Sequence, residues 1–459
     1  MKEKKEYLEL AQYAVEQARK AGAEAEAFVS ETESVQIMVA SRQVEQMNAV
    51  REAGIGIRVL RDGRQAFGST NDLERASLKT LIEDLVRKAA HHTADEFNVI
   101  PGGEDGILED DLSALPELDV YDAKVSEVPV KDKIGTALRI EEAGLAASPK
   151  VTGSMFCLYQ DATKYRYLAN SKGFAGLFRS TECGGSAEMS AADGGSRESG
   201  GYTRTVTSCD GLDPDEVGRK AAEKAVAMLG AAPIGSCELP MVVAPEVGAE
   251  LLGYVGRMLS ADEVQKGRSL FAGRIGAAVG SPVLTLIDDG LLRGGLATAP
   301  VDGEGIPRRT TPLIVDGVLK TYLYDCYCAR KERGGARSTG SKMRSGYAAA
   351  GSVGTTNLYM KPGSGPRESV FSGIDRGFYL TVVLGLHAAV DPSSGDFSIP
   401  SAGFLIEKGG IGRPVRGVTV AGNLFELLKA VDKVGNDLTW FEAVGAPTFS
   451  VRSVKIGGK

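Results

Sequence analysis

Apolar residues recur at spacings of three and four from the first residues onward. Leu8, Ala11, Val15 and Ala18 line one side of a helix predicted over 4–21, and Gly22 is placed to end it. The period then falls to two. Strand-like runs begin at Ala25, Ser34, Gly54 and Arg64, with Asp62-Gly63 as a hairpin signal between the last two. A second helix is expected over 71–92, capped by Asn71 or Asp72, with Leu78, Leu81, Ile82 and Leu85 on one face. The first ~95 residues therefore read as helix, four-stranded sheet, helix. Further helices are expected over 130–147, over 213–230 with Asp213 as N-cap ahead of Pro214, and over 246–259 and 422–431. Long strands are expected from Val151 and through the Gly/Ser-rich stretch 183–207, and a strand-rich, turn-rich stretch lies between the last two helices.

Strands after helices without a regular alternation point to an α+β fold. A linker rich in Pro, Gly and acids spans 98–116. The organisation expected is an N-terminal α/β domain over 1–97, a middle region over 117–230 and a larger strand-rich C-terminal domain over 238–459.

Composition removes several classes of function. The net charge is -7 and basic residues are scattered, which disfavours direct nucleic-acid binding. No window approaches 18 apolar residues, so no membrane span is expected, and MKEKKEYLEL lacks the apolar core of a secretory signal. The six cysteines are dispersed without a CxxC pair, as in reduced thiols, and a cytoplasmic location is expected.

Candidate chemistry is sparse. The three histidines are His91, His92 and His387. The first two are adjacent at a helix end, about 100° apart around the axis, which suits a solvated terminus better than a chelate. His387 follows an apolar run with Asp391 nearby, a place where a packed residue is the plainer reading. There is no HExxH pair, no GxSxG elbow and no P-loop, and nothing local joins Cys326 or Cys328 to His387. From the residues alone, no function class stands out.

Several longer stretches are more specific. They are GIGIRVLRDGRQAFGSTNDL from Gly54, ANSKG at 169–173, LIDDGLLRGGLATAPVDGEGIPRRTTPLIVDGVLKTYLYDCYCARK at 286–331 and STGSKMRSG at 338–346. SGDFSIPSAGFLIEKG at 394–409 and VTVAGNLFELLKAVDKVGND at 418–437 complete the set. In this order and spacing the chain resembles the TldD/PmbA family, once called modulators of DNA gyrase, from about residue 8 to its end. The resemblance implies two kinds of subunit. The TldD kind looks like a zinc peptidase with an HExxxH motif and a distal Cys ligand; the PmbA/TldE kind lacks these ligands and pairs with it. Here the motif falls in VVAPEVGAELLG at 242–253, with Pro245 and Glu250 at the two His positions and Glu246 at the Glu position. No Cys follows GND at 435–437. All three ligand positions thus depart from the zinc pattern. Glu246 reads most simply as an exposed acid complementing a helix N-terminus.

The resemblance implies a non-catalytic subunit of a peptidase acting on unfolded or short peptides, with no cofactor of its own. Zinc is expected in a TldD-type partner of a heterodimer, and a homodimer is an option for the isolated chain. GDFSI at 395–399 is a candidate for pairing with an extended peptide, or else a core strand. The alternatives are a stand-alone hydrolase using Glu246, Glu250 or His387, and a peptide-binding or regulatory protein without catalysis.

Overall fold

The computed structural model describes residues 4–107, 117–391 and 393–459, and its fold is α+β. Much of the expected linker lies outside the described residues. The helices of the first half are α1 (Lys4–Lys20), α2 (Arg75–Ala89), α3 (Lys124–Glu127), α4 (Val130–Ala146) and α5 (Pro214–Ala227). The strands are β1 (Glu24–Ala40), β2 (Gln43–Arg61), β3 (Arg64–Thr70), β4 (Val151–Asn170), β5 (Ala175–Asp193) and β6 (Ser196–Val206). These six strands form one antiparallel sheet in the order β3-β2-β1-β4-β5-β6, so segments 1–97 and 117–230 share a sheet through the β1–β4 pairing.

Two sequence expectations change here. The runs from Ala25 and Ser34 are one strand, β1, so three strands rather than four precede α2. The missed hairpin turns at Ser41-Arg42, which adopt φ of 52° and 61°. A two-residue turn of this type I′ kind needs positive φ at both positions, and without Gly or Asn there the sequence gives little sign of it. Helix α2 also starts later than expected, with Glu74 at the N-cap making no side-chain cap bond. The Asp72 carboxylate instead accepts from the Glu74 amide at 3.1 Å, an Asx turn ahead of the helix. Asp213 does cap α5, accepting from the Asp215 amide at 3.0 Å.

Side-chain alternation gives the sheet two different faces. Odd positions of β1, β2 and β4, among them Val29, Ile37, Ile55, Ile57, Tyr159 and Tyr167, are buried in two apolar clusters under α1 and α2 and under α4 and α5. Helices α4 and α5 meet closely at Gly218, where a Cβ would land on the Ile140 carbonyl oxygen. Even positions such as Glu26, Phe28, Arg58 and Leu168 face the second half of the chain. At Gly56 the backbone of Tyr347 fills the place of a side chain.

That second half begins with β7 (Cys237–Val243) and α6 (Pro245–Met258). Strand β7 lies inside a six-stranded sheet, parallel to Arg376–Val383 and antiparallel to Phe449–Gly457. A second six-stranded sheet includes Leu286–Asp289, Thr310–Val315 and Asn357–Met360. Residues of both sheets and of α6 build the largest core, with Val247, Leu251, Leu252 and Val255 as the contribution of the helix. Among the described residues, no helix is long and apolar enough to cross a membrane.

Candidate functional site

Strand β7 runs straight into α6, which presents Pro245, Glu246 and Glu250 on its first turns. Pro245 occupies the first helical turn, where its missing N–H leaves no intrahelical bond unmade. Its ring has no lone pair to offer a metal. Glu246 stands in the first turn of the helix with over a third of its side chain exposed, as the sequence suggests, and it has a partner that the sequence does not show. It is half-buried and ion-paired with Lys224 of α5, so its charge bridges the two halves of the chain. The Lys224 ammonium also donates to the Gly201 carbonyl at 3.0 Å and stands over the Tyr202 ring, 5.4 Å from its centroid. Glu250, one turn on, is exposed at the residue level. Partial desolvation of its carboxyl raises its pKa, the Glu246 charge adds to this, and Lys224 opposes it.

The segment after GND is closed by Asp437, whose carboxylate accepts from the Thr448 amide at 3.0 Å and its hydroxyl at 2.6 Å. A short hairpin, Thr439–Phe441 with Val444–Ala446, follows directly. The Trp440 carbonyl accepts from Arg204 of β6 at 3.4 Å, a second link across the halves.

Zinc needs three converging N, S or O donors and an open position. At the motif, Pro245 supplies none, Glu246 is neutralised by Lys224, and Glu250 is a single carboxylate. This donor set does not fit a catalytic zinc. Among the described residues, no group of three or more His, Cys, Asp or Glu is arranged to hold a metal ion.

The other sequence candidates are scattered. His91 and His92 follow α2 and are exposed, and the His92 Nδ1 lies 2.6 Å from the Gln65 carbonyl oxygen. Together with Asp95, Phe97 and Tyr327, His92 lines an open cleft of about 670 Å³. His387 lies in the helical turn Leu386–Ala389, and its side chain is outside the described residues. Cys326 and Cys328 are buried, and burial first, then neighbouring carboxylates, pushes both thiols far up. The GDFSI segment belongs to the strand Asp396–Glu407, paired with Gly410–Asn423, and Phe397 is bridged on its other side by Val390. It is an interior strand rather than an open edge.

Sequence reasoning missed a buried charge network where the sheet meets the second half. Glu26 accepts from Arg58 Nε at 2.9 Å and Nη2 at 3.0 Å, and also from Arg344, 318 residues away in sequence. Burial opposes the Glu26 charge, yet the two guanidinium groups bring its pKa down to about 2. Nearby, Lys342 pairs with Asp325 at 2.8 Å. The Glu304 carboxylate accepts from the Cys326 amide at 3.0 Å, and burial lifts its pKa to about 7. The signal was a charged residue interrupting each apolar run: Glu26 in AEAFV and Arg58 in GIGIRVL, directly opposite each other in the β1–β2 register.

Comparison with known proteins accounts for nearly the whole length. Three models match in series: PmbA/TldA metallopeptidase domain 1 over 25–89, the central domain over 123–229 and the C-terminal domain over 236–458. A Haemophilus influenzae protein named metalloprotease PmbA homolog is 26% identical over 451 residues, covering 97% of this chain and 95% of that one. A Methanothermobacter thermautotrophicus protein named metalloprotease is 29% identical, covering 92% and 89%. Among solved structures, a Bacteroides thetaiotaomicron protein described as a modulator of DNA gyrase superposes with a TM-score of 0.88 at 26% identity, covering 98% of each chain. TldE from Thermococcus kodakarensis shares the fold, with a TM-score of 0.84 at 22% identity over 98% of this chain and all of that one.

Proposed function

The chain belongs to the PmbA/TldD metallopeptidase family, and from that premise we propose that it is a PmbA/TldE-type subunit of a two-subunit peptidase. In this reading it does not carry the catalytic zinc. A TldD-type partner with an intact HExxxH motif brings the metal, the activating Glu and the hydrolysis of unfolded peptides. The observation that carries the reading is the state of the motif on α6. The first ligand position is a proline, and the Glu expected to activate water is held by Lys224. A carboxylate already neutralised by an ammonium, with no metal-bound water beside it, has nothing to activate at useful rates.

The test is hydrolysis of an unstructured peptide by this chain alone, by its HExxxH-bearing sibling alone, and by the two co-purified. Chelator-sensitive activity that requires both chains supports the proposal. Robust hydrolysis by this chain alone overturns it in favour of a stand-alone hydrolase built on Glu246, Glu250 or His387. Stable peptide binding without turnover in any combination favours a binding protein.

A further inference from the structure

The seam between the first sheet and the second half holds a small recess of about 160 Å³, distinct from the α6 motif. Its floor is the even face of the sheet, contributed by Phe28 of β1, Arg166 of β4 and Phe178 and Ser180 of β5. The loop 296–303 and Arg308 close it from the other side.

The basic residues at this seam differ in how they are neutralised. Arg344 has Glu26 and Lys342 has Asp325. Among the described residues, neither Arg166 nor Arg308 has a carboxylate within ion-pair distance, and carboxylate charge reaches them only from further off. The Arg166 guanidinium reaches only the Ser180 hydroxyl, at 3.3 Å. Arg308 is 9% exposed; its Nη1 donates to the Ala297 carbonyl at 2.5 Å and its Nη2 meets the Met343 thioether at 3.2 Å. A thioether is a weak acceptor. The Arg308 Nε is buried with no hydrogen-bond partner at all.

The carboxylate whose charge acts on Arg166 is Glu182, which is paired with Lys164, and those acting on Arg308 are Asp302 and Asp288, whose oxygens are hydrogen-bonded elsewhere. Asp302, which also lines the recess, accepts from the amides of Glu304, Ile306 and Lys342. Asp288 accepts from the amide and hydroxyl of Thr356. Burial, and in Arg166 the neighbouring Arg308 charge, disfavours the charged form of both guanidinium groups and outweighs the opposing charges of Glu182 on Arg166 and of Asp302 and Asp288 on Arg308. Leaving a buried donor unsatisfied costs free energy, and the fold keeps the buried Arg308 in that state beside the half-buried Arg166 on one cavity.

We infer that this recess binds a small oxyanion, either a carboxylate or a phosphate, gripped between Arg166 and Arg308. The planar donor forks suit two-oxygen ligands. The volume equals roughly five waters, enough for an inorganic phosphate or the end carboxylate of a peptide. The half-buried Phe178 ring gives the apolar part of a ligand a surface to rest on. Nothing in this inference depends on the peptidase reading.

The experiment is thermal unfolding of the full chain against inorganic phosphate, with sodium chloride at matched ionic strength as reference. A tripeptide with a free C-terminal carboxylate is compared with its amide. At a hundredfold excess over Kd the midpoint should rise by about 3 °C, and Arg166→Gln should abolish the rise. Arg308→Gln is a second variant, and Arg166→Gln alone decides if that one does not fold. A response to phosphate alone identifies a free-phosphate site, whereas a response to the tripeptide and not its amide identifies a peptide terminus. Equal shifts with chloride, or a response that survives Arg166→Gln, overturn the inference.

Discussion

Replacing Glu26 with Gln keeps the shape of the side chain and removes the one charge that two guanidinium groups share. Arg58 and Arg344 are both largely buried, their side chains 11% and 2% exposed, so neither can recover its lost partner from water. Breaking a buried pair from one side typically costs about 3–5 kcal/mol. The pH linkage gives a consistent figure. Lowering a carboxyl from 4.5 unfolded to about 2 folded corresponds to about 3 kcal/mol. Because the folded pKa is depressed, that stability is present above pH ~4.5 and is lost as pH falls towards the folded value. Urea unfolding of the wild type and E26Q at pH 7 should therefore differ by about 3–5 kcal/mol, and the gap should narrow by about 1 kcal/mol at pH 4. A loss below ~1 kcal/mol at pH 7 would refute the claim that this carboxylate holds the two halves together.

Glu304 should behave in the opposite sense. Its pKa is raised to about 7, so its contribution is full below pH ~4.5 and is lost as pH rises through 7; in the same unfolding assay E304Q should gain stability relative to wild type between pH ~4.5 and 7, and the difference should level off above 7. Lys224→Met should cost no more than ~1 kcal/mol in urea unfolding, because both partners of its pair with Glu246 are over a third exposed. Gly218→Ala should cost about 2–3 kcal/mol, read as a lowered urea midpoint, since the methyl would overlap the Ile140 carbonyl oxygen. In the native protein a thiol reagent at pH 8 should reach at most the half-buried Cys209 and Cys237. Cys157, whose pKa burial pushes up to about 12, and the buried Cys183, Cys326 and Cys328 should react only after denaturation.

Helices were legible where an amphipathic period coincided with a stop or start signal. Gly22 marked the end of α1, and Asp213-Pro214 marked the start of α5. Strand boundaries were less so, because the Ser41-Arg42 turn relies on two residues holding positive φ without the usual Gly or Asn. The motif on α6 was found through the family pattern; nothing in Pro245, Glu246 or Glu250 taken singly announces it. What the sequence could not disclose was pairing across long separations. Lys224 reads as one more surface lysine of α5 until α6 brings Glu246 against it, and Arg344 reads as one more base in STGSKMRSG until it reaches Glu26.

The β1–β4 pairing has a consequence for synthesis on the ribosome. Strand β1 ends at Ala40 and its neighbour β4 begins at Val151, so one edge of a 17-residue strand must wait for more than a hundred residues to be made. At ~5–20 residues per second that wait is on the order of 5–20 s. During it, the nascent hairpins β1–β3 expose a row of free amides and carbonyls, the template for pairing with another chain. α1 and α2 can cover one face of this ribbon early, but the edge itself has no native cover until β4 arrives. Newly made chains should thus be most vulnerable to aggregation, and most dependent on chaperones, before the middle of the polypeptide has left the exit tunnel.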